Sequence, residues 1–129
     1  MNILFVYFDK IIQNDNLYVK SLCEEIRRQN GSVECSIDAF WNSPRKYDIV
    51  HIQFPEVIFK WRQPSDNGLK ALRQRIARLK SMGTKIVYTR HDAIPHYCTD
   101  KNKLELYRIV ETQSNAIIHL GEYLSLIHI

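Results

Sequence analysis

The stretch Asp48-Ile49-Val50-His51-Ile52-Gln53-Phe54-Pro55-Glu56 constrains this chain more than any other. Its apolar and β-branched run suits a strand buried on both faces of a parallel sheet. It stops at a proline, which cannot donate a ladder hydrogen bond, and a carboxylate follows at once. A second segment has the same grammar: Lys85-Ile86-Val87-Tyr88-Thr89-Arg90-His91-Asp92, then Ala93-Ile94-Pro95-His96. In an open α/β sheet, ligands bind beyond the carboxyl ends of the strands. Two such strands would deliver Glu56, Arg90, His91, Asp92 and His96 to one rim.

The rest of the chain supplies more units of this kind. Asn2 to Phe8 is an apolar run and the expected first strand. Its following turn, Asp9 to Asn14, has no glycine, so a dinucleotide pyrophosphate is not expected there. Asp15 or Asn16 caps an expected helix to Gln29, with Leu17, Leu22 and Ile26 inward and Gly31 as terminator. Ser32 to Ile37 alternates and reads as a second strand nearer an edge. Asp38 to Lys46 reads as a loop; its Trp41 either stacks on a sugar or base or covers the sheet edge. Val57 to Pro64 is apolar and aromatic and is expected as a short helix at the rim, either a packed element or an exposed partner surface.

Asp66 or Asn67 caps a helix running to about Met82, with Leu69, Leu72, Ile76 and Leu79 as its apolar stripe. Lys70, Arg73, Arg75, Arg78 and Lys80 make it the most cationic element. Its basic face is either simply solvated or a contact for anionic lipid or a partner. Gly83 ends it, a fourth strand runs to Thr89, and a rim loop spans Arg90 to Cys98. Lys101 to Thr112 reads as a helix, Asn115 to Gly121 as a fifth strand, and Glu122 onward as the start of another helix.

Strands alternating with helices imply βαβ units, right-handed crossovers and a parallel sheet. The expected fold is α/β: a doubly wound, Rossmann-like three-layer sandwich with about five parallel strands in the order 3-2-1-4-5. The expected cleft is at the rim of strands one and four. The 129 residues suffice for one domain with a real core. The net charge of +4 is mildly basic and is read first as plain solvated surface, ahead of nucleic acid or anionic lipid. Three cysteines without C-x-x-C spacing argue for a reducing compartment rather than a disulfide framework or zinc knuckle. No apolar run reaches the ~18 residues of a membrane span. The expected location is cytoplasmic, or peripheral at the inner face of the membrane.

At the rim, His91 is the best acid/base candidate, because histidine titrates near neutral pH and Asp92 can orient it. His96 suits a hydroxyl or phosphate. Glu56 suits a hydroxylated ligand or a cap on its own turn. Arg90 suits a phosphate clamp or a pairing with Asp92 or Glu56. His51 and His119 lie inside strands and read as core histidines. A mixed metal site of His51, His91 and Asp92 is a remote option; no resident metal or cofactor is expected. The chain has no P-loop and no G-x-S-x-G elbow, and Cys98 reads as inert.

Tyr47 to Glu56, a basic helix, then Gly83 to His96 together resemble the N-terminal domain of GT-B-fold glycosyltransferases, closest to the bacterial family-four-like enzymes of polysaccharide biosynthesis. The similarity covers about residues 47 to 121, with Met1 to Phe8 fitting the usual first strand. The resemblance implies that residues 1–129 form one Rossmann-like domain, the N-terminal half of a two-domain enzyme. This half binds a glycan or lipid-linked acceptor, and a C-terminal domain binds the nucleotide-sugar donor as co-substrate. Carried over by motif, His91 faces the reacting sugar, and Glu56, His96 and Asp92 line the acceptor side. Nucleic acid is not an implied partner. Gln53 and Phe54 depart from the more usual His and Trp, and no donor-binding motif is present, so this chain alone is expected to be inactive. Two rival expectations stand beside it: a small stand-alone doubly wound binding or signalling module like a receiver or flavodoxin domain, whose acidic pair and phosphate loop this sequence lacks, and a peripheral interaction domain that uses the basic helix and the Trp61 patch.

Overall fold

A computed structural model describes residues 1–8, 24, 25, 28, 32–90 and 100–119, without the side chain of His119. The strands are β1 (Asn2–Phe5), β2 (Ser32–Cys35), β3 (Ile49–Ile52), β4 (Lys85–Arg90) and β5 (Ala116–His119). The helices are α1 (Ile37–Asn42), α2 (Asp66–Ser81) and α3 (Lys101–Gln113), with a 3-10 helix over Pro55–Phe59. Glu24, Glu25 and Arg28 are helical, inside the span expected for the first helix. The remainder of that helix, the rim loop from His91 to Thr99 and the element expected after Glu122 lie outside the described residues.

All strand pairs are parallel, and the chain has the expected doubly wound, Rossmann-like α/β class. The strand order is β2-β1-β3-β4-β5. It differs from the expected 3-2-1-4-5 in the place of the third strand, which lies between β1 and β4 rather than outside β2. Backbone pairing accounts for this. Ile3, Leu4 and Phe5 stand level with Ile49, Val50 and His51, and the Asp48 carboxylate accepts the Asn2 N–H at 2.7 Å. β1 is buried from Ile3 onward, as an interior strand paired on both edges is, whereas β2 is only partly covered, as an edge strand can be. The chain leaves β1 in opposite directions for β2 and β3. The topological switch point therefore lies between β1 and β3, not at β1 and β4.

The strands alternate, and the two faces carry different cores. Leu4, Val6, Val50, Ile52, Ile86 and Tyr88 pack against Leu69, Leu72, Ile76 and Leu79 of α2 and Leu106, Ile109 and Val110 of α3. Ile3, Phe5 and Tyr7 gather with Ile37 and Val57 in a second cluster. The stripe expected for α2 is the observed one, and its cap is Ser65, whose Oγ accepts the Gly68 N–H at 3.0 Å. A Cβ at Gly68 would stand 3.0 Å from Cε1 of Phe59, so the missing side chain lets that ring seat on the first turn. Gly83 takes φ +89° where α2 ends.

Residues 37–42 are helical rather than the expected loop, because the Ser36 hydroxyl accepts the Ala39 N–H at 2.9 Å and Phe40 is wholly buried. Trp41 is spent on packing: its indole N–H donates to the Ile58 carbonyl at 3.1 Å, and its ring meets Phe40 and Phe59.

Ahead of β3, Tyr47 is buried and donates its hydroxyl to Glu34 at 2.8 Å. Glu34 also pairs with Arg45 at 2.9 Å. Burial, then the Glu34 carboxylate, raise the Tyr47 phenol above its usual range; a Ser43 hydrogen bond and Arg45 act the other way. The sign follows from proton counting. Above about pH 10 the unfolded chain releases this proton first, so it binds fewer protons than the folded chain and stability falls as pH rises. The contribution is complete below that range. Urea midpoints measured from neutral to strongly alkaline pH should therefore drop more steeply for wild type than for Tyr47→Phe. Parallel curves would show that Tyr47 carries no such linkage.

Candidate functional site at the carboxyl rim

Three strand ends lie along this rim, those of β1 and β3 at the switch point and that of β4 beside β3. β1 continues as Val6-Tyr7-Phe8, and the Val6 N–H still bonds the His51 carbonyl at 3.0 Å. β3 ends in Gln53-Phe54 before Pro55 opens the 3-10 helix. β4 runs to Arg90, one residue beyond the expected Thr89. Ile52 stands level with Tyr88, so Pro55-Glu56 and Arg90 emerge on the same rim.

Glu56 occupies the first turn of the 3-10 helix and is mostly buried. Its Oε2 accepts the Tyr107 hydroxyl, and the Lys103 ammonium lies 3.9 Å away. Arg90 faces α3 with Ile86 and Tyr88, and its guanidinium lies 3.5 Å from Glu111. Among the described residues it is thus paired with Glu111 and not with Glu56. Lys103, Tyr107 and Glu111 repeat every four residues and form one stripe of α3. That stripe receives the β3 rim residue and the β4 rim residue together. The i, i+4 spacing was visible in the sequence; what it faced was not.

The opposite sheet face holds a buried polar triad. His51 is 7% exposed, Gln53 1% and Thr89 1%. The His51 Nε2 lies 2.5 Å from the Thr89 hydroxyl and 3.0 Å from the Gln53 amide nitrogen. The Phe5 ring covers His51 at 4.7 Å between centroids. His51 is therefore a hydrogen-bonded core histidine, and Gln53 works inside the sheet, beneath the rim. Among the described residues no group of three or more His, Cys, Asp or Glu could hold a metal ion.

The aromatic segment after Glu56 divides. Val57 and Ile58 are buried, while Trp61 is 55% exposed. Lys60 and Trp61 both take positive φ, 55° and 64°. This turn is pinned by Lys60 N–H to Val57 at 2.8 Å and Trp61 N–H to Glu56 at 2.9 Å. A shallow cavity of about 240 Å³ opens beside it, between Trp61 and the start of α3.

The basic helix is largely occupied within the domain. Arg73 pairs with Glu105 of α3 at 2.6 Å. Arg75 donates to the carbonyls of Phe40 and Ser43, and burial, then Arg78, lowers its pKa from the usual value. Lys80 donates to the Gln113 carbonyl at 2.8 Å. No described helix is long and apolar enough to cross a membrane.

His91, Asp92 and His96 lie outside the described residues. His91 follows directly on Arg90, the last residue of β4. Comparison of the chain with family models, curated proteins and solved structures finds no match.

Proposed function

We propose that this chain is the acceptor-side domain of a GT-B-fold glycosyltransferase, which moves a sugar from a nucleotide-sugar donor to a glycan or lipid-linked acceptor. The observation that carries the reading is the β3–β4 register. With Ile52 opposite Tyr88, Pro55-Glu56 and Arg90 leave the sheet at the same carboxyl rim, one strand from the switch point, where an open parallel sheet receives ligands. The sequence resemblance falls on these same two strand ends.

In this reading the acceptor hydroxyl oxygen bonds to the anomeric carbon of the donor. The bond from that carbon to the donor phosphate breaks, and the nucleoside diphosphate leaves with the electron pair. The acceptor proton passes to a base or to solvent. His91 hydrogen-bonds at the reacting sugar and serves as that base if the reaction inverts. Glu56, Asp92 and His96 bind acceptor hydroxyls, and Arg90 lies beside the site. A C-terminal domain binds the donor and closes a water-poor cleft. Lys70 and Arg78, with no ion pair among the described residues, remain available for footing on an anionic inner membrane face.

The test is a panel of labelled nucleotide sugars offered to the full-length gene product with a lipid extract of its own cell. Label in the lipid or glycan fraction is the expected result. Absence of transfer with every donor would overturn the reading and leave a doubly wound binding module.

A further inference from the structure

The cavity beside Trp61 is built for a specific kind of ligand. Two consecutive non-glycine residues, Lys60 and Trp61, hold left-handed backbone, at φ 55° and 64°, a region that L-residues seldom adopt. Strain of this kind persists where the surroundings over-determine it, often at ligand sites. Here it turns the Trp61 indole outward.

The polar groups around that ring are mixed and balanced. Glu56 and Asp100 supply two carboxylates, and Arg62 and Lys103 supply two cations. Asp100 Oδ1 caps α3 by accepting the N–H groups of Asn102 and Lys103. Its Oδ2 and Glu56 Oε1 make no hydrogen bond among the described residues. The cavity thus offers hydroxyl acceptors, hydrogen-bond donors and an apolar platform without net charge. At about 240 Å³ it is smaller than the ~300–1,000 Å³ of typical drug-sized sites. A phosphate or nucleotide would need net positive charge. A neutral pyranose ring needs what is present: a flat aromatic face for its C–H side and carboxylates, amide and guanidinium for its hydroxyls.

The site is continuous with the rim. The rings of Phe8 and Tyr7 lie 5.5 Å apart, Tyr7 and Phe54 6.4 Å, and Phe54 and Trp61 6.0 Å. This aromatic row, with Tyr7 buried in the second core cluster, braces Trp61 against the ends of β1 and β3. We infer that the Trp61 cavity is a pyranose subsite that holds a distal sugar ring of an extended glycan acceptor. The assignment of that ring to an acceptor rests on the transferase reading above; binding of the ring itself does not.

The experiment uses the indole N–H signals of isotope-labelled full-length protein, titrated with methyl pyranosides of the gluco, galacto, manno and N-acetylglucosamine types. Trp41 is the internal reference, because its N–H is already bonded to Ile58. One of these probes should shift Trp61 saturably with a Kd near the millimolar range, about −4 kcal/mol, and leave Trp41 in place. Trp61→Ala should weaken that binding at least about tenfold, a change of ~1.4 kcal/mol, while Trp61→Phe retains part of it. A Trp61 signal that none of the pyranosides moves, or that moves only with a nucleoside such as uridine, would overturn the subsite. Failure of the two readings is distinguishable. Pyranoside binding without any transfer activity removes the transferase and keeps the subsite. Transfer by Trp61→Ala with unchanged acceptor KM, together with a Trp61 signal that no pyranoside moves, removes the subsite and keeps the transferase.

Discussion

On the transferase reading proposed above, replacing His91 with alanine in the full-length protein should lower turnover by about 10²–10⁴, the usual cost of removing an acid/base or charge-stabilising group. The expectation rests on place and chemistry. His91 follows the last residue of β4, and β4 is level with β3 at the rim that carries Glu56. Imidazole is the side chain whose ordinary titration falls nearest neutral pH. The loss should sit in kcat, with the donor KM little changed, because a group that acts on the reacting centre stabilises the transition state rather than the bound substrate. His91→Gln should recover part of the activity if a hydrogen bond suffices. It should recover none if proton transfer is required, and the acid limb of the pH–rate profile would then vanish in both variants. Turnover within a few-fold of wild type in His91→Ala would remove the residue from the chemistry.

The largest effect expected on stability comes from His51. His51→Ala should destabilise the domain by about 2–4 kcal/mol, since two penalties combine. The buried ring against Phe5 leaves a void. The Thr89 hydroxyl, 1% exposed, also loses its 2.5 Å partner and keeps only the Gln53 amide at 3.4 Å. A domain of this kind has about 5–15 kcal/mol in total, so the change should be plain in a urea titration. His51→Phe separates the two penalties, because it restores ring volume without the nitrogen. It should recover part of the loss but not all. A loss below about 1 kcal/mol in His51→Ala would mean that the triad contributes little beyond packing.

Those two residues also mark what could be read from the chain in advance. His51 was legible as a core histidine, since it sits amid Val50 and Ile52 in a run too apolar for one exposed face. The strand runs, the Pro55 stop, the α2 stripe and the Gly83 terminator are all local signals, and the structure follows them to within a few residues. α1 was missed because six residues are too few to show a 3.6-residue period. The place of β3 was missed because a strand's composition says that it is buried, not which neighbours bury it. At the rim, the positions of Glu56 and Arg90 were legible and their partners were not. Tyr107 lies 51 residues from Glu56 along the chain, and nothing local announces such a pairing. Asp100 and Trp61 were likewise invisible as a pair until the fold set them around one cavity.

The position of β1 has a consequence for how the chain assembles. β4 and β5 each lie beside their predecessor in sequence, so they can add one after another onto β3 through shorter-range closure. β1 cannot complete itself in that way. Its second partner begins 46 residues later, at Asp48 and Ile49. During synthesis at about 5–20 residues per second, an apolar strand with two hungry faces leaves the ribosome seconds before the strand that will cover its inner edge. β1 thus keeps an open edge for a longer stretch of synthesis than β3 or β4 does, and over that stretch its unpaired backbone is open to strands of other chains.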